Sequence, residues 1–239
     1  MVYFIHQVLL YKPIFWFAKK TNDSSLGLIR DNSSSKGLKS FNFDDFLFYS
    51  PELIGTNVNL KLDKYYSNVG LMTMRSTWED GGIFTGLHGG YNKVPHGDLD
   101  IGNFILYGAS KQFLIELGGD NYNLPSYFGD NRNNYYKKRA EGQNTLIIGD
   151  ISYLVPDQAP TATGLMTTSN EFIENGKRGI WFKDGRSTVI LQDEIKLNET
   201  QMVRWAVHTK GNIEIDKNNP KIAKIVMPSC TKFLLAVIY

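Results

Sequence analysis

The chain of 239 residues carries 26 basic against 24 acidic side chains, a net charge of +2, with hydrophobic residues at 42% and charged residues at 21%. That length allows one large all-β domain or two smaller ones, and the composition is that of an ordinary globular protein. A charge balance so near neutral excludes a nucleic-acid surface built on net charge, and the lone Cys230 excludes a disulfide within these residues.

In chain order, residues 2–18 are rich in apolar groups but interrupted by Gln7, Lys12 and Pro13. The stretch is too short and too broken for a spanning helix, so no membrane insertion is expected. No basic segment precedes it and no small-x-small cleavage site follows, so it does not read as a signal peptide. It predicts a helix or helix pair broken at Pro13, with apolar side chains that pack on something outside this chain. Residues 20–40 are polar, and Ser33-Ser34-Ser35-Lys36-Gly37 reads as a linker. Phe41 to Tyr49 alternates aromatics with Asp44-Asp45, as a short helix or docking segment would.

From residue 57 onward the pattern changes to short apolar or alternating runs separated by Gly, Asn and Asp. The runs are 57–62, 69–78, 82–88, 102–107, 112–117, 144–148, 179–183, 187–195, 201–208, 221–227 and 232–238. Their length and spacing predict strands. Gly108-Ala109-Ser110 and Lys183-Asp184-Gly185-Arg186 read as hairpin turns. The aromatic content of 13% favours β-structure and suits either a carbohydrate-contacting surface or a plain sandwich core. The expected architecture is a mainly β protein: a helical remnant and linker over 1–50, then a large antiparallel β-sandwich over 51–239. Both ends read as cuts through a larger protein. Gly118 to Asn134 is a long polar segment in which Tyr122, Pro125 and Tyr127 favour an ordered loop.

Several groups are candidates for chemistry. His96, Asp98 and Asp100 alternate at a strand entrance and so share a face. They fit a metal or acid/base site, or a turn whose carboxylates cap nearby N–H groups. Glu116 interrupts an apolar run, where a carboxylate needs a partner unless it faces outward on an edge. Gln143-Asn144-Thr145 offers amides to a sugar or to neighbouring side chains. Arg139, after Tyr135-Tyr136, suits a carboxylate partner or the surface. The run Lys137-Lys138-Arg139 reads as a solvated face that would also suit an anionic substrate. His88 and His208 are isolated histidines, a type more often structural than catalytic, and Arg75 and Trp78 suit a stacked pair.

The order of these pieces resembles the β-sandwich part of the heparinase II/III-like polysaccharide lyases. The matching segments are Arg75-Ser76-Thr77-Trp78, the run from His96 to Phe104, Glu116-Leu117-Gly118, Tyr135-Tyr136-Lys137, Gln143-Asn144-Thr145, and Trp205 to Thr209. The resemblance covers about residues 70–210, and several ordered motifs are more specific than any one of them. It implies an α/α toroid domain, largely missing here, ahead of the sandwich. It also implies β-elimination on a uronic-acid-containing, anionic polysaccharide substrate. His96 matches a histidine at the catalytic cleft, and Tyr136, Arg139 and Asn144 are the implied substrate contacts. Asp98, Glu116 and Gln143 match a metal site that holds zinc in relatives. Here Asp and Gln replace two nitrogen ligands, so one divalent metal ion of the calcium kind, or none, is expected. The resemblance also implies a periplasmic or secreted location. Two other functions share the features: a non-catalytic carbohydrate-binding β-sandwich, and a uronyl C5-epimerase.

Overall fold

A computed structural model describes residues 14–28, 47–55, 58, 60–90, 92, 97–129, 132–148, 161–162, 166–167, 173–228 and 232–236. The chain divides into two compact units, Met1–Lys61 and Leu62–Tyr239.

In the first unit, helix α1 (Ile14–Thr21) starts directly after Pro13 and buries Ile14, Phe15 and Ala18. These are the positions that one helical face brings together. Lys19 and Lys20 occupy the last turn, where the free carbonyls favour cations. The Phe15 ring meets Tyr49 edge-on, with centroids 5.2 Å apart. A further helical turn at 24–28 is capped by Asp23, whose Oδ1 accepts from the Ser25 N–H at 2.9 Å. Whatever precedes Ile14, and most of the Phe41 to Tyr49 segment, lies outside the described residues.

In the second unit every described strand pairing is antiparallel. Strands β1 (Asp63–Tyr66), β2 (Leu71–Arg75), β3 (Phe84–His88), β4 (Phe104–Gly108) and β5 (Lys111–Leu114) form one five-stranded sheet in sequence order. Beside it are the pair β6 (Leu146–Ile148) with β11 (Val203–Trp205) and the two-residue pair β7 (Thr161–Ala162) with β8 (Met166–Thr167). The long hairpin β9 (Ile173–Lys183) with β10 (Thr188–Leu197) and the sheet β12 (Asn212–Ile215), β13 (Ile222–Val226), β14 (Lys232–Ala236) complete the set. A common core joins the layers. Phe104, Leu106, Phe113 and Leu114 from the large sheet pack with Ile180, Ile225 and Met227, and Trp205 and Val207 close against them. This is the β-sandwich expected from the strand pattern. Both predicted hairpin turns are present, with Ala109 and Ser110 at φ 47° and 58°, and Asp184, Gly185 and Arg186 at 52°, 63° and 70°.

Four strands depart from the sequence pattern. The two-residue strands Thr161–Ala162 and Met166–Thr167 have no counterpart among the predicted runs. The first strand lies at Asp63–Tyr66 rather than within 57–62, and Asn212–Ile215 lies outside the runs altogether. Both are fully exposed along their length. Edge strands bear charges and lack an apolar face toward the core, so periodicity does not reveal them. Among the described residues no helix is long and apolar enough to cross a membrane.

Candidate functional site

Four strand ends meet at one place. Asn103 precedes β4, Glu116 follows β5, Gln143-Asn144-Thr145 leads into β6, and His208 follows β11. Antiparallel pairing forces this: Trp205 lies opposite Leu146, and Leu114 opposite Leu106. Backbone bonds from Ile115 N–H to the His208 carbonyl (2.9 Å) and from Ala206 N–H to the Thr145 carbonyl (3.1 Å) tie the ends together.

The side chains there form a buried amide network. The Asn103 amide nitrogen donates to Glu116 Oε2 at 2.9 Å and to Gln143 Oε1 at 2.8 Å. Asn103 Oδ1 accepts from the Asn144 N–H at 2.8 Å. Gln143, 1% exposed, donates through Nε2 to the Lys137 carbonyl at 2.8 Å. Glu116 Oε1 accepts from Gly118 N–H at 2.8 Å. Asn144 is 0% exposed, and its Nδ2 donates to the Phe104 and Ile115 carbonyls at 2.7 and 2.8 Å. Its Oδ1 accepts from the His208 N–H at 2.6 Å and lies 3.2 Å from His208 Nδ1. The far side of the His208 ring, Nε2, meets the Tyr136 hydroxyl at 3.0 Å. Burial pushes the His208 pKa below the ordinary histidine value, with Glu116 acting weakly the other way.

Tyr136 stands on a pair of 3₁₀ turns, Tyr136–Lys138 and Ala140–Gly142. These turns pack so closely that a Cβ on Gly142 would fall 2.2 Å from the Tyr136 carbonyl oxygen. Gly142 therefore has a steric reason to be glycine, and it delivers Gln143 into the network.

A second, ionic cluster lies around Asp98. Its Oδ2 meets Lys138 Nζ and its Oδ1 meets Arg132 Nη2, both at 2.8 Å. Arg132 also donates from Nε to the Gly97 carbonyl at 3.0 Å. Lys138 is 5% exposed. Burial opposes its charge, but Asp98 outweighs this and holds the ammonium above its usual pKa. Nearby, His88 Nδ1 lies 2.9 Å from Asp100 Oδ2. Burial disfavours the imidazolium there, yet the Asp100 carboxylate outweighs burial and raises the His88 pKa.

His96 lies outside the described residues. Glu116 and Gln143 come together on Asn103, whereas Asp98 does not join them and is paired with two cations. The Glu116 and Gln143 oxygens accept from Asn103 and Gly118, and the Asp98 oxygens face Arg132 and Lys138. Among the described residues there is no group of three or more His, Cys, Asp or Glu able to hold a metal. The Asn144 side chain is fully enclosed with every polar atom engaged, so it is not itself open to a ligand. Arg139 pairs with Glu141, Nη2 to Oε1 at 2.5 Å. The run Lys137-Lys138-Arg139 is not the solvated face expected from sequence. Lys137 pairs with Asp120 at 2.8 Å, Lys138 with Asp98 and Arg139 with Glu141, so folding neutralises each cation locally. Arg75 does stack on Trp78, 3.6 Å from the ring centroid. After Gly118, residues 119–129 pack around Tyr127 at 2% exposure, whose hydroxyl accepts from the Asp120 N–H at 3.0 Å.

Three contributors carry no role in the sequence reading. Asn103 lies inside the run 102–107 and the resembling segment His96 to Phe104, without being singled out. Arg178 and Asp193 pair through two bonds of 2.6 and 2.8 Å, and Arg178 Nη1 also holds the Gly102 and Asn144 carbonyls at 2.6 and 3.0 Å. The available signal was register: in the β9–β10 hairpin Arg178 lies opposite Asp193, but β9 was expected to begin only at residue 179.

No protein-family model matches the sequence, and no curated protein is significantly similar to it. Solved structures do match the fold. The heparan sulfate lyase HepC from Pedobacter heparinus superposes with a TM-score of 0.60 at 15% identity, over 89% of this chain and 34% of that one. A heparinase III structure superposes with a TM-score of 0.53 at 15% identity, over 72% of this chain and 28% of that one. A second heparinase III gene product gives a TM-score of 0.55 at 14% identity, over 84% and 32%. The chain thus has the fold of the β-sandwich portion of heparinase III and spans about a third of the length of the structures it matches.

Proposed function

We propose that this chain is the sandwich part of a polysaccharide lyase that cleaves uronic-acid-containing glycans by β-elimination, within a larger protein that also supplies a toroid domain. The observation that carries this reading is a coincidence of place. In a fold shared with heparan sulfate lyase structures, the motif residues Asn103, Glu116, Gln143, Asn144 and His208 converge beneath the half-exposed Tyr136. In β-elimination a base removes the C5 proton and the C–H electron pair becomes the C4–C5 double bond. The C4–O bond breaks and an acid protonates the departing oxygen. Charge developing toward the uronate carboxylate needs a fixed donor or cation. We assign that task to His96, and glycan contact to Tyr136 and Arg139, with Asn144 acting through His208. The Asn103 amide bridges Glu116 and Gln143 in this reading, so no step is routed through a metal. A periplasmic or secreted location accompanies the proposal and rests on the motif resemblance alone.

The test is ultraviolet detection of the unsaturated uronide on a panel of uronate polysaccharides, using the full-length protein with and without EDTA. We expect product from wild type, unchanged by EDTA, and none from His96→Ala. A folded full-length protein that releases no unsaturated product from any glycan would overturn the lyase reading. Exchange of the C5 hydrogen with solvent deuterium in that case would identify an epimerase. Binding without exchange would identify a carbohydrate-binding module.

A further inference from the structure

The contact between Tyr136 and His208 contains one hydrogen whose owner decides what the tyrosine offers a ligand. Asn144 settles the question. Its amide nitrogen faces two backbone carbonyls, Phe104 and Ile115, at 2.7 and 2.8 Å. Carbonyls only accept, so the NH₂ group must be on that side. The Asn144 oxygen therefore faces His208, where it accepts from the backbone N–H at 2.6 Å. The reversed amide would set NH₂ against that N–H and oxygen against two carbonyls, three repulsive contacts at a site with 0% exposure. An oxygen facing Nδ1 at 3.2 Å requires the hydrogen of the neutral imidazole to sit on Nδ1. Nε2 is then a bare lone pair, and the 3.0 Å contact is filled by the Tyr136 hydroxyl hydrogen. Burial, which lowers the His208 pKa, keeps the ring neutral and so preserves this arrangement.

We infer that Asn144 and His208 together turn Tyr136 into a one-way acceptor: its hydrogen is held by His208 Nε2, and its oxygen presents only lone pairs outward. Tyr136 is 53% exposed, so a ligand can reach it. The group it accepts must bring a hydrogen-bond donor, such as a sugar hydroxyl or an amide N–H. A sulfate or carboxylate oxygen at the same spot faces lone pair against lone pair. On the lyase reading, with which this inference shares its glycan, Tyr136 is a specificity-determining residue that selects for an unsulfated position, and His208 and Asn144 are positioning residues. A lone tyrosine free to rotate its hydroxyl would accept from one ligand and donate to another without preference.

Two measurements on this chain test the inference. The first is the ¹⁵N–¹H correlation pattern of the His208 ring in histidine-labelled protein near neutral pH. The expected pattern is hydrogen on Nδ1 and a bare Nε2. A hydrogen on Nε2 would overturn the inference whatever the chain binds. The second is the affinity for an unsulfated glucuronate–N-acetylglucosamine oligosaccharide against a fully O-sulfated heparin oligosaccharide of the same length. Wild type should prefer the unsulfated chain. Tyr136→Phe should lose about fivefold in affinity for it, the worth of one neutral hydrogen bond, with little change for the sulfated chain. A preference for the sulfated chain, or a Tyr136→Phe protein that keeps the wild-type preference, would overturn the inference. Binding to neither oligosaccharide, with Nδ1 protonated, would remove the glycan reading and its subsite while leaving the proton placement intact. His208→Phe supplies the control, because losing both ring nitrogens frees the Tyr136 hydroxyl and should narrow the preference.

Discussion

Two polar clusters leave the same stretch of chain before β4, and they are built on opposite principles. Around Asn103, Gln143 and Asn144 the groups are mainly neutral amides, nearly all buried, with each donor and acceptor engaged and Glu116 as the one carboxylate at the edge. Around Asp98 the groups are full charges at 7–20% side-chain exposure, held by mutual neutralisation with Lys138 and Arg132. The amide network satisfies backbone carbonyls and N–H groups that have no other way to be satisfied. The ionic cluster mostly satisfies itself. The first should therefore resist any substitution, while the second should tolerate removal of both partners together.

The largest effect is expected at Asn144. Asn144→Leu keeps the approximate volume but strands the Phe104 and Ile115 carbonyls and the His208 N–H inside the protein. At roughly 1–3 kcal/mol for each unsatisfied buried group, partly relieved by relaxation, the loss should be about 4 kcal/mol. Urea unfolding of the variant measures it, and a loss below about 1 kcal/mol would show that the network is not as closed as its distances imply. No compensating partner substitution exists, because the partners are main chain.

Asp98 should behave differently. Asp98→Asn leaves the Lys138 ammonium buried with its carboxylate gone. Removing one member of a buried pair costs about 3–5 kcal/mol, and the partial exposure of Asp98 reduces this to about 2 kcal/mol. The double variant Asp98→Leu with Lys138→Met should regain part of that loss, since it removes the uncompensated ammonium while Arg132 keeps its bond to the Gly97 carbonyl. A double variant no more stable than Asp98→Asn alone would erase the contrast between the clusters.

How much of this was readable in the sequence follows the same division. The sandwich itself was, because core strands such as Phe104–Gly108 and Lys111–Leu114 carry apolar runs bounded by turn residues. The motif residues were also singled out, but their partners were not. Spacing places Asp98 and Glu116 at strand ends without saying which cation or amide each will meet. The partner of Asp98 comes from 40 residues along the chain, and the partner shared by Glu116 and Gln143 is Asn103, hidden in an apolar run. The cationic run Lys137-Lys138-Arg139 looked solvated because a one-dimensional reading cannot see Asp120, Asp98 and Glu141 arriving from elsewhere or turning back. Edge strands failed for a related reason: exposure on both faces leaves no periodic signature.

The smallest expected effect sharpens the comparison through pH, because the two clusters each contain a histidine shifted in the opposite sense. His88 beside Asp100 has a folded pKa above its unfolded value of about 6.5. Its contribution is fully present below that unfolded value and disappears as pH rises through the folded one. His208 is buried against the Asn144 amide and has a folded pKa below the same unfolded value of about 6.5. Its contribution is present above that value and is lost as pH falls through the folded pKa. The stability difference between wild type and His88→Gln should therefore be larger near pH 5.5 than near pH 8, and the difference between wild type and His208→Gln should be larger near pH 8 than near pH 5.5. Urea midpoints at the two pH values measure both. Differences that change with pH in the same direction for the two variants would contradict the assignment of one histidine to a charged cluster and the other to a neutral one. A His208→Gln difference larger at the acid end would further mean that imidazolium is the stable form beside Asn144, which the amide orientation forbids unless the Tyr136 hydroxyl turns outward.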